Sequence, residues 1–245
     1  MKGIKTLAVI LCTSLTLMGC SDQGGLSNLG KGALIGSGGG AAAGAGIGAL
    51  IGALTGNTGK GAAIGAAVGL VAGGTAGTLI GNKMDKAAKA AAELEGAQAE
   101  VLQDAEGTSY VKVTFDSGIL FPSSGYTLGS TAKTSLNNFV KNALTSDMNV
   151  AVVGHTDSDA WKNCTAEQSM AKNQTLSEQR AQSVSSYLTQ CGAAASQIVS
   201  VTGQGQTNPV ADNSTAAGKA QNRRVEVYMI PSAEMIEAAN NGTLK

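Results

Sequence analysis

Apolar and polar residues follow three different rhythms along this chain, and each rhythm predicts a different kind of element. From Ser109 onward the rhythm is that of an ordinary folded domain. "YVKVTFD" alternates, with Val111, Val113 and Phe115 on one face, and predicts a strand. "TLGSTAKTSLNNFVKNAL" spaces Leu136, Phe139, Val140 and Leu144 for one helical face, with Ser130 or Thr131 as the N-cap. "MNVAVVG" is apolar throughout, as a strand covered on both faces must be. "LSEQRAQSVSSYLTQCG" predicts a helix starting near Leu176, with Ala181, Val184, Tyr187 and Leu188 inward and Gly192 just past its end. "QIVSVTG" and "NRRVEVYMI" predict two more strands, the last with Val225 and Val227 toward the core. The order βαβαββ argues an α+β domain: a small mixed sheet with its helices on one face.

The second rhythm lies upstream. Gly recurs every fourth residue from Gly32 to Gly56 and again from Gly61 to Gly81. No charged residue falls between Gly32 and Gly59 or between Gly61 and Asn82, and Lys31, Lys60 and Lys83 flank the two runs. Each Gly in a helix interior costs about 1 kcal/mol relative to Ala, so a water-exposed helix tolerates few. A stripe of small residues does let two helix backbones approach closely in an apolar solvent. The expectation is a helical hairpin over 31–83, each arm long enough for a hydrocarbon core of about 30 Å. A soluble, self-packed hairpin would use the same stripe. The hairpin face also offers a surface for a homo-oligomer. "KMDKAAKAAAELEGAQAEVL", rich in good helix formers but poor in large apolar residues, predicts a solvated connecting helix across 84–107.

The third rhythm is the N-terminal apolar run "TLAVILCTSLTLM" behind Lys2 and Lys5, which predicts a secretory signal over 1–19. It ends in "LMGC", which resembles a bacterial lipobox. The resemblance implies cleavage before Cys20 and lipidation of its thiol, followed by a short tether over 20–30. Ser21 in place of Asp implies onward transport to the outer membrane. The bland alternative is an ordinary signal with a chance cysteine. Losing Lys2 and Lys5 from 17 basic residues leaves 15 against 17 acidic ones, so no basic surface points to nucleic acid. Cys12 leaves with the signal, and Cys164 and Cys191 remain as a pair in an oxidising compartment, so a disulfide between them is expected.

The single histidine, His155, lies in "GHTDSD" with Asp157 and Asp159 close by. A serine hydrolase of the elbow type needs G-x-S-x-G, which is absent. A zinc site needs three or four ligands, and beyond this acidic pair no further ligand is evident. The expectation is a binding protein and not an enzyme, with neither cofactor nor metal.

"GHTD", "NQTLSEQRAQSVSSYL" and "GQGQTNPVADNSTAAGKAQNRRVEV", in that order, resemble the OmpA-like peptidoglycan-binding domain, over 108–231. With the lipobox and the glycine stripe, the whole chain resembles the glycine-zipper outer-membrane lipoproteins of that family. The resemblance implies non-covalent binding of peptidoglycan through the diaminopimelate of its stem peptide. It implies Asp157 and Arg180 as the gripping residues and Asn173 and Arg223 as supporting contacts. The chemistry fits, because a zwitterionic end needs an anion and a cation side by side, and a guanidinium takes a carboxylate in two parallel bonds. From the residues alone, Asp157 could instead cap a turn, Asn173 could cap a helix, and Arg180 and Arg223 could form surface ion pairs. The chain departs from the family pattern in one place: Ala160 replaces a Gly, and an insertion over 158–172 separates Asp157 from Arg180 and contains Cys164. A second function remains open at this point, a membrane scaffold acting through the hairpin with a domain that no longer binds. Residues 232–245 are expected to be a tail.

Overall fold

The computed structural model describes residues 52, 74–104, 107–121 and 125–245. The signal segment, Cys20 and nearly all of the glycine hairpin lie outside the described residues. In chain order the elements are α1 (Thr75–Ala92), β1 (Ala97–Gln103), β2 (Ser109–Asp116), α2 (Ser117–Leu120), α3 (Ser130–Asn142), β3 (Met148–Gly154), α4 (Ala166–Gln190), β4 (Ile198–Gly203), α5 (Ala216–Asn222), β5 (Arg224–Pro231) and α6 (Ala233–Asn240). The sheet order is β1-β2-β5-β3-β4. Among the described strands only β3 and β4 pair in parallel, and α4 is the crossover that such a pair requires. The expected α+β class, with a mixed sheet and helices packed on it, is therefore what the chain adopts.

The alternation of the strands decides what lies where. Phe115 pairs with Val225, and Phe115 meets Phe139 of α3 edge-to-face with ring centroids 6.2 Å apart. The same face carries Val113, Val227 and Met229, all buried with Leu136, Val184 and Leu188 of the helices. The opposite face carries Tyr110, Glu226 and Tyr228, with a tilted ring contact of 6.3 Å between Tyr110 and Tyr228. At the far end of β3 the helix sits directly on the sheet. A Cβ on Gly154 or Gly203 would collide with α4 at Ser177, so glycine there sets how closely helix and sheet approach.

Three expectations are corrected. The segment from Lys83 to Leu102 is not a solvated connecting helix. Its first part belongs to α1, which buries Ala76, Ile80, Met84, Ala87, Ala88 and Ala91, and Lys83 pairs with Asp147 at 2.5 Å. Residues 75–83, expected at the end of a membrane-facing arm, thus dock on the folded domain. Its second part is β1, an edge strand paired along its whole length with β2. Alanine reads as neutral in a hydrophobic pattern, yet a line of alanines flanking Ile80 and Met84 lets α1 lie close to the sheet. Pairing with β2 then overrides the helix preference of Ala, Gln and Glu. Nor are residues 232–245 a tail. Ser232 caps α6, and Met235, Ile236 and Ala239 are buried. Among the described residues no helix is long and apolar enough to cross a membrane.

The third correction concerns α4. It begins at Ala166, ten residues before the expected start, because Thr165 and Gln168 form a reciprocal capping box. Cys164 therefore precedes the first turn and Cys191 is the C-cap of the same 25-residue helix. Such a helix is about 37 Å long, whereas a disulfide needs Cα atoms within about 7 Å. Both cysteines are free thiols, and the expected Cys164–Cys191 bridge does not form.

Candidate functional site

The site is built where β3 ends. The strand stops at Gly154, and the chain is then tied to both neighbours: His155 N–H donates to the Arg224 carbonyl and Thr156 N–H to the Gly205 carbonyl, each at 2.9 Å. That leaves Asp157 on the carboxyl-end loop of a strand, where open sheets expose their ligand sites. Its Oδ1 accepts from the Asp159 N–H at 3.1 Å, so the turn-capping role read from sequence is present. Its Oδ2 accepts from Arg223 Nη1 at 2.6 Å. Arg223 comes from the end of α5 and is over a third exposed, while the Asp157 side chain is only 11% exposed.

Arg180 reaches the same place from α4. It is 4% exposed, its Nε–H donates to the Gly125 carbonyl at 3.0 Å, and its guanidinium lies 5.4 Å from the Phe121 ring centroid. Burial lowers its pKa, Asp157 pulls it back up, and Arg223 pushes it down again. An arginine stays charged under such pressure. Asp157, Arg180 and Arg223 therefore form one electrostatic group with one anion and two cations. A ligand carboxylate matches the excess positive charge, and a ligand ammonium matches Asp157. Arg180 is not a surface ion pair, since its hydrocarbon and guanidinium are both enclosed.

Of the two roles expected for Asn173, the structure excludes the helix cap, which Thr165 takes. Asn173 sits inside α4 and cannot cap it. Its Nδ2 donates to the carbonyls of Asp157 and Asp159 at 3.4 and 3.3 Å and to Gln206 Oε1 at 3.0 Å. Its Oδ1 accepts from Trp161 Nε1 at 2.7 Å. These bonds fix the loop that presents Asp157. Lys219 adds an exposed ion pair to Asp159 at 2.6 Å. Trp161, Gln206, Phe121 and Lys219 were not picked out from sequence. A signal existed only for Trp161, the one tryptophan of the chain, placed in the insertion.

His155 turns to the opposite face of the sheet. It is 2% exposed, its Nε2 lies 3.5 Å from Glu226 Oε2, and neither ring nitrogen has a hydrogen-bond partner. Glu226 is held instead by Arg224 Nε and the Tyr228 hydroxyl, both at 2.7 Å. Burial lowers the His155 pKa more than Glu226 raises it, so the imidazole is neutral at pH 7. Among the described residues no group of three or more His, Cys, Asp or Glu is placed to hold a metal ion.

Residues 120–223, which contain the whole charged group, match the OmpA family model. Residues 120–223 are thus similar to the OmpA family. Residues 1–85 match the YMGG-like Gly-zipper family model, in line with the period of four read from the glycines. The chain is 43% identical over 121 residues to the probable lipoprotein YiaD of Escherichia coli K12, which covers 49% of this chain and 48% of the relative. It is 39% identical over 83 residues to the peptidoglycan-binding protein ArfA of Mycobacterium tuberculosis, covering 34% of this chain and 23% of the relative. The chain thus spans about half, or less, of the length of these relatives. Among solved structures, a MotB-like protein from Desulfovibrio vulgaris superposes with a TM-score of 0.51 at 19% identity, covering 63% of this chain and 97% of that one. That likeness concerns the fold alone.

Proposed function

We propose that this chain is an outer-membrane lipoprotein that binds peptidoglycan without acting on it chemically, and so tethers membrane to wall. Cys20 carries the lipid, and the glycine hairpin reinforces attachment to the membrane. The OmpA-family domain faces the periplasm. The ligand group is the zwitterionic end of diaminopimelate. Asp157 receives its ammonium, and Arg180, aided by Arg223, receives its carboxylate. Asn173 positions the Asp157 loop.

The observation that carries this reading is the meeting of Asp157, Arg180 and Arg223 from three separate elements at the end of β3. A pair of opposite charges that served only stability would not need a second, largely enclosed cation beside it. The name of ArfA, a peptidoglycan-binding relative, supports the same reading.

The test is co-sedimentation with purified sacculi. The wild-type domain is expected in the pellet and Asp157→Asn in the supernatant, with the variant keeping the wild-type circular dichroism spectrum. Wild-type protein that stays in the supernatant would return the reading to a membrane scaffold working through its glycine hairpin.

A further inference from the structure

The insertion over 158–172 does more than lengthen a loop. It supplies one side of a groove of about 370 Å³ lined by Tyr126, Trp161, Lys172, Thr175, Leu176 and Gln179 among others. Lys172, Leu176 and Arg180 follow one another at intervals of four on α4, so the helix carries one stripe from Lys172 and Leu176 of the groove to Arg180 of the charged group. Tyr126 adjoins Gly125, whose carbonyl binds Arg180. Trp161 is held by the same Asn173 that holds the Asp157 loop. Two lining residues, Tyr126 and Trp161, are therefore tied through their neighbours to the residues that hold Arg180 and the Asp157 loop.

The chemistry of the lining is one-sided. Tyr126 is 48% exposed, Leu176 forms an apolar surface, and Lys172 Nζ lies 5.4 Å from the Trp161 ring centroid. Lys172 is in no ion pair among the described residues, and no acidic residue lines the groove. A groove with an aromatic wall, an apolar floor and an unmatched cation suits an extended segment with one carboxylate. Lys172 and Arg180 are separated by roughly 12 Å along the helix, which a tripeptide of about 10 Å together with its side chains would cover.

We propose that this groove takes the part of the stem peptide adjoining the diaminopimelate, with Lys172 pairing a carboxylate on that part. This rests on the reading of Asp157 and Arg180 as the diaminopimelate grip, and it makes the groove a specificity device: stem peptides with that carboxylate free bind better than those with it amidated.

The experiment measures binding by calorimetry of four probes: free diaminopimelate, a diaminopimelate-containing stem tripeptide with its other side carboxylate free, the same tripeptide amidated there, and a peptide-free glycan disaccharide. The wild-type full chain is expected to prefer the free over the amidated tripeptide by about threefold to tenfold, as one partly screened charged contact allows. Lys172→Gln should remove that preference while leaving affinity for free diaminopimelate unchanged. Lys172→Glu should reverse it. An equal preference in wild type and Lys172→Gln overturns the proposal and leaves the diaminopimelate grip standing. Failure of the wild type to bind any probe overturns both. Binding of a peptide-free glycan disaccharide that Lys172→Gln abolishes would give the groove to sugar and overturn it as well.

Discussion

Replacing Arg180 by lysine keeps the charge and removes the plane, so it separates two things the site could need. In the native domain the guanidinium is 4% exposed, donates from Nε to the Gly125 carbonyl at 3.0 Å and packs 5.4 Å from the centre of Phe121. A lysine ammonium cannot lie flat on that ring, and its stronger hydration opposes burial. A lost hydrogen bond from a charged group contributes about 1.5–3 kcal/mol and a lost ring contact about 0.5–1 kcal/mol. Some of this is recovered as the shorter polar head finds water, so the net expectation is a loss of roughly 2–3 kcal/mol of stability, or about 4–12 °C in Tm for a domain of this size. Binding should fall separately. A two-pronged contact with the ligand carboxylate becomes a single point of charge, and a deficit of about 1.4 kcal/mol corresponds to roughly a tenfold rise in Kd. Thermal unfolding and calorimetry with free diaminopimelate, at a temperature where both proteins are fully folded, read the two effects independently. A lysine variant that binds diaminopimelate as tightly as wild type would refute the role of the fork. An unchanged Tm would refute the energetic account of the buried guanidinium.

Two further outcomes follow from other parts of the domain. Gly154→Ala should destabilise by about 1–3 kcal/mol, because the added Cβ collides with the α4 backbone at Ser177 and cannot be relieved by a side-chain rotation; chemical denaturation measures it, and a variant as stable as wild type would show that α4 can lift off the sheet at little cost. His155 has its pKa lowered by burial from an ordinary 6.5, so the unfolded chain takes up a proton that the folded domain resists, and stability should decline as pH falls below about 6.5. In His155→Gln that part of the decline should be missing from denaturation curves between pH 7 and 5, and an identical slope in both proteins would mean that other groups cause it.

Much of the site was readable before any coordinates. A strand ending in Gly154 must present the next residues at the sheet's edge, which put Asp157 there, while the resemblance to the OmpA-like domain is what implied that Asp157, Arg180 and Arg223 act together. Arg180 followed from the helix that Ala181, Val184 and Leu188 define. Arg223 precedes a strand whose inward side chains, Val225 and Val227, are unmistakable. These readings hold because burial of alternating or helically spaced apolar residues is strong enough to fix local structure and direction together. The family of the domain was likewise carried by motifs whose order in the chain is their order in the fold.

What the sequence by itself determined is therefore the class of fold and four of its five strands, while its resemblance to the OmpA-like domain pointed to the charged residues that the fold brings to one end of the sheet. What only the tertiary structure decided is how those residues are held and what surrounds them. The partnership of Trp161 with Asn173, and the anchoring of Arg180 to Gly125 and Phe121, join side chains from separate elements, which no spacing announces. The start of α4 at Ala166 moved Cys164 a full helix away from Cys191, although both had looked like neighbours by elimination. The alanines of α1 and the mixed residues of β1 carry weak preferences of a few tenths of a kcal/mol each. Such preferences yield to the larger gain of covering an open sheet face and pairing its edge, and that gain exists only once β2 and β5 are already in place.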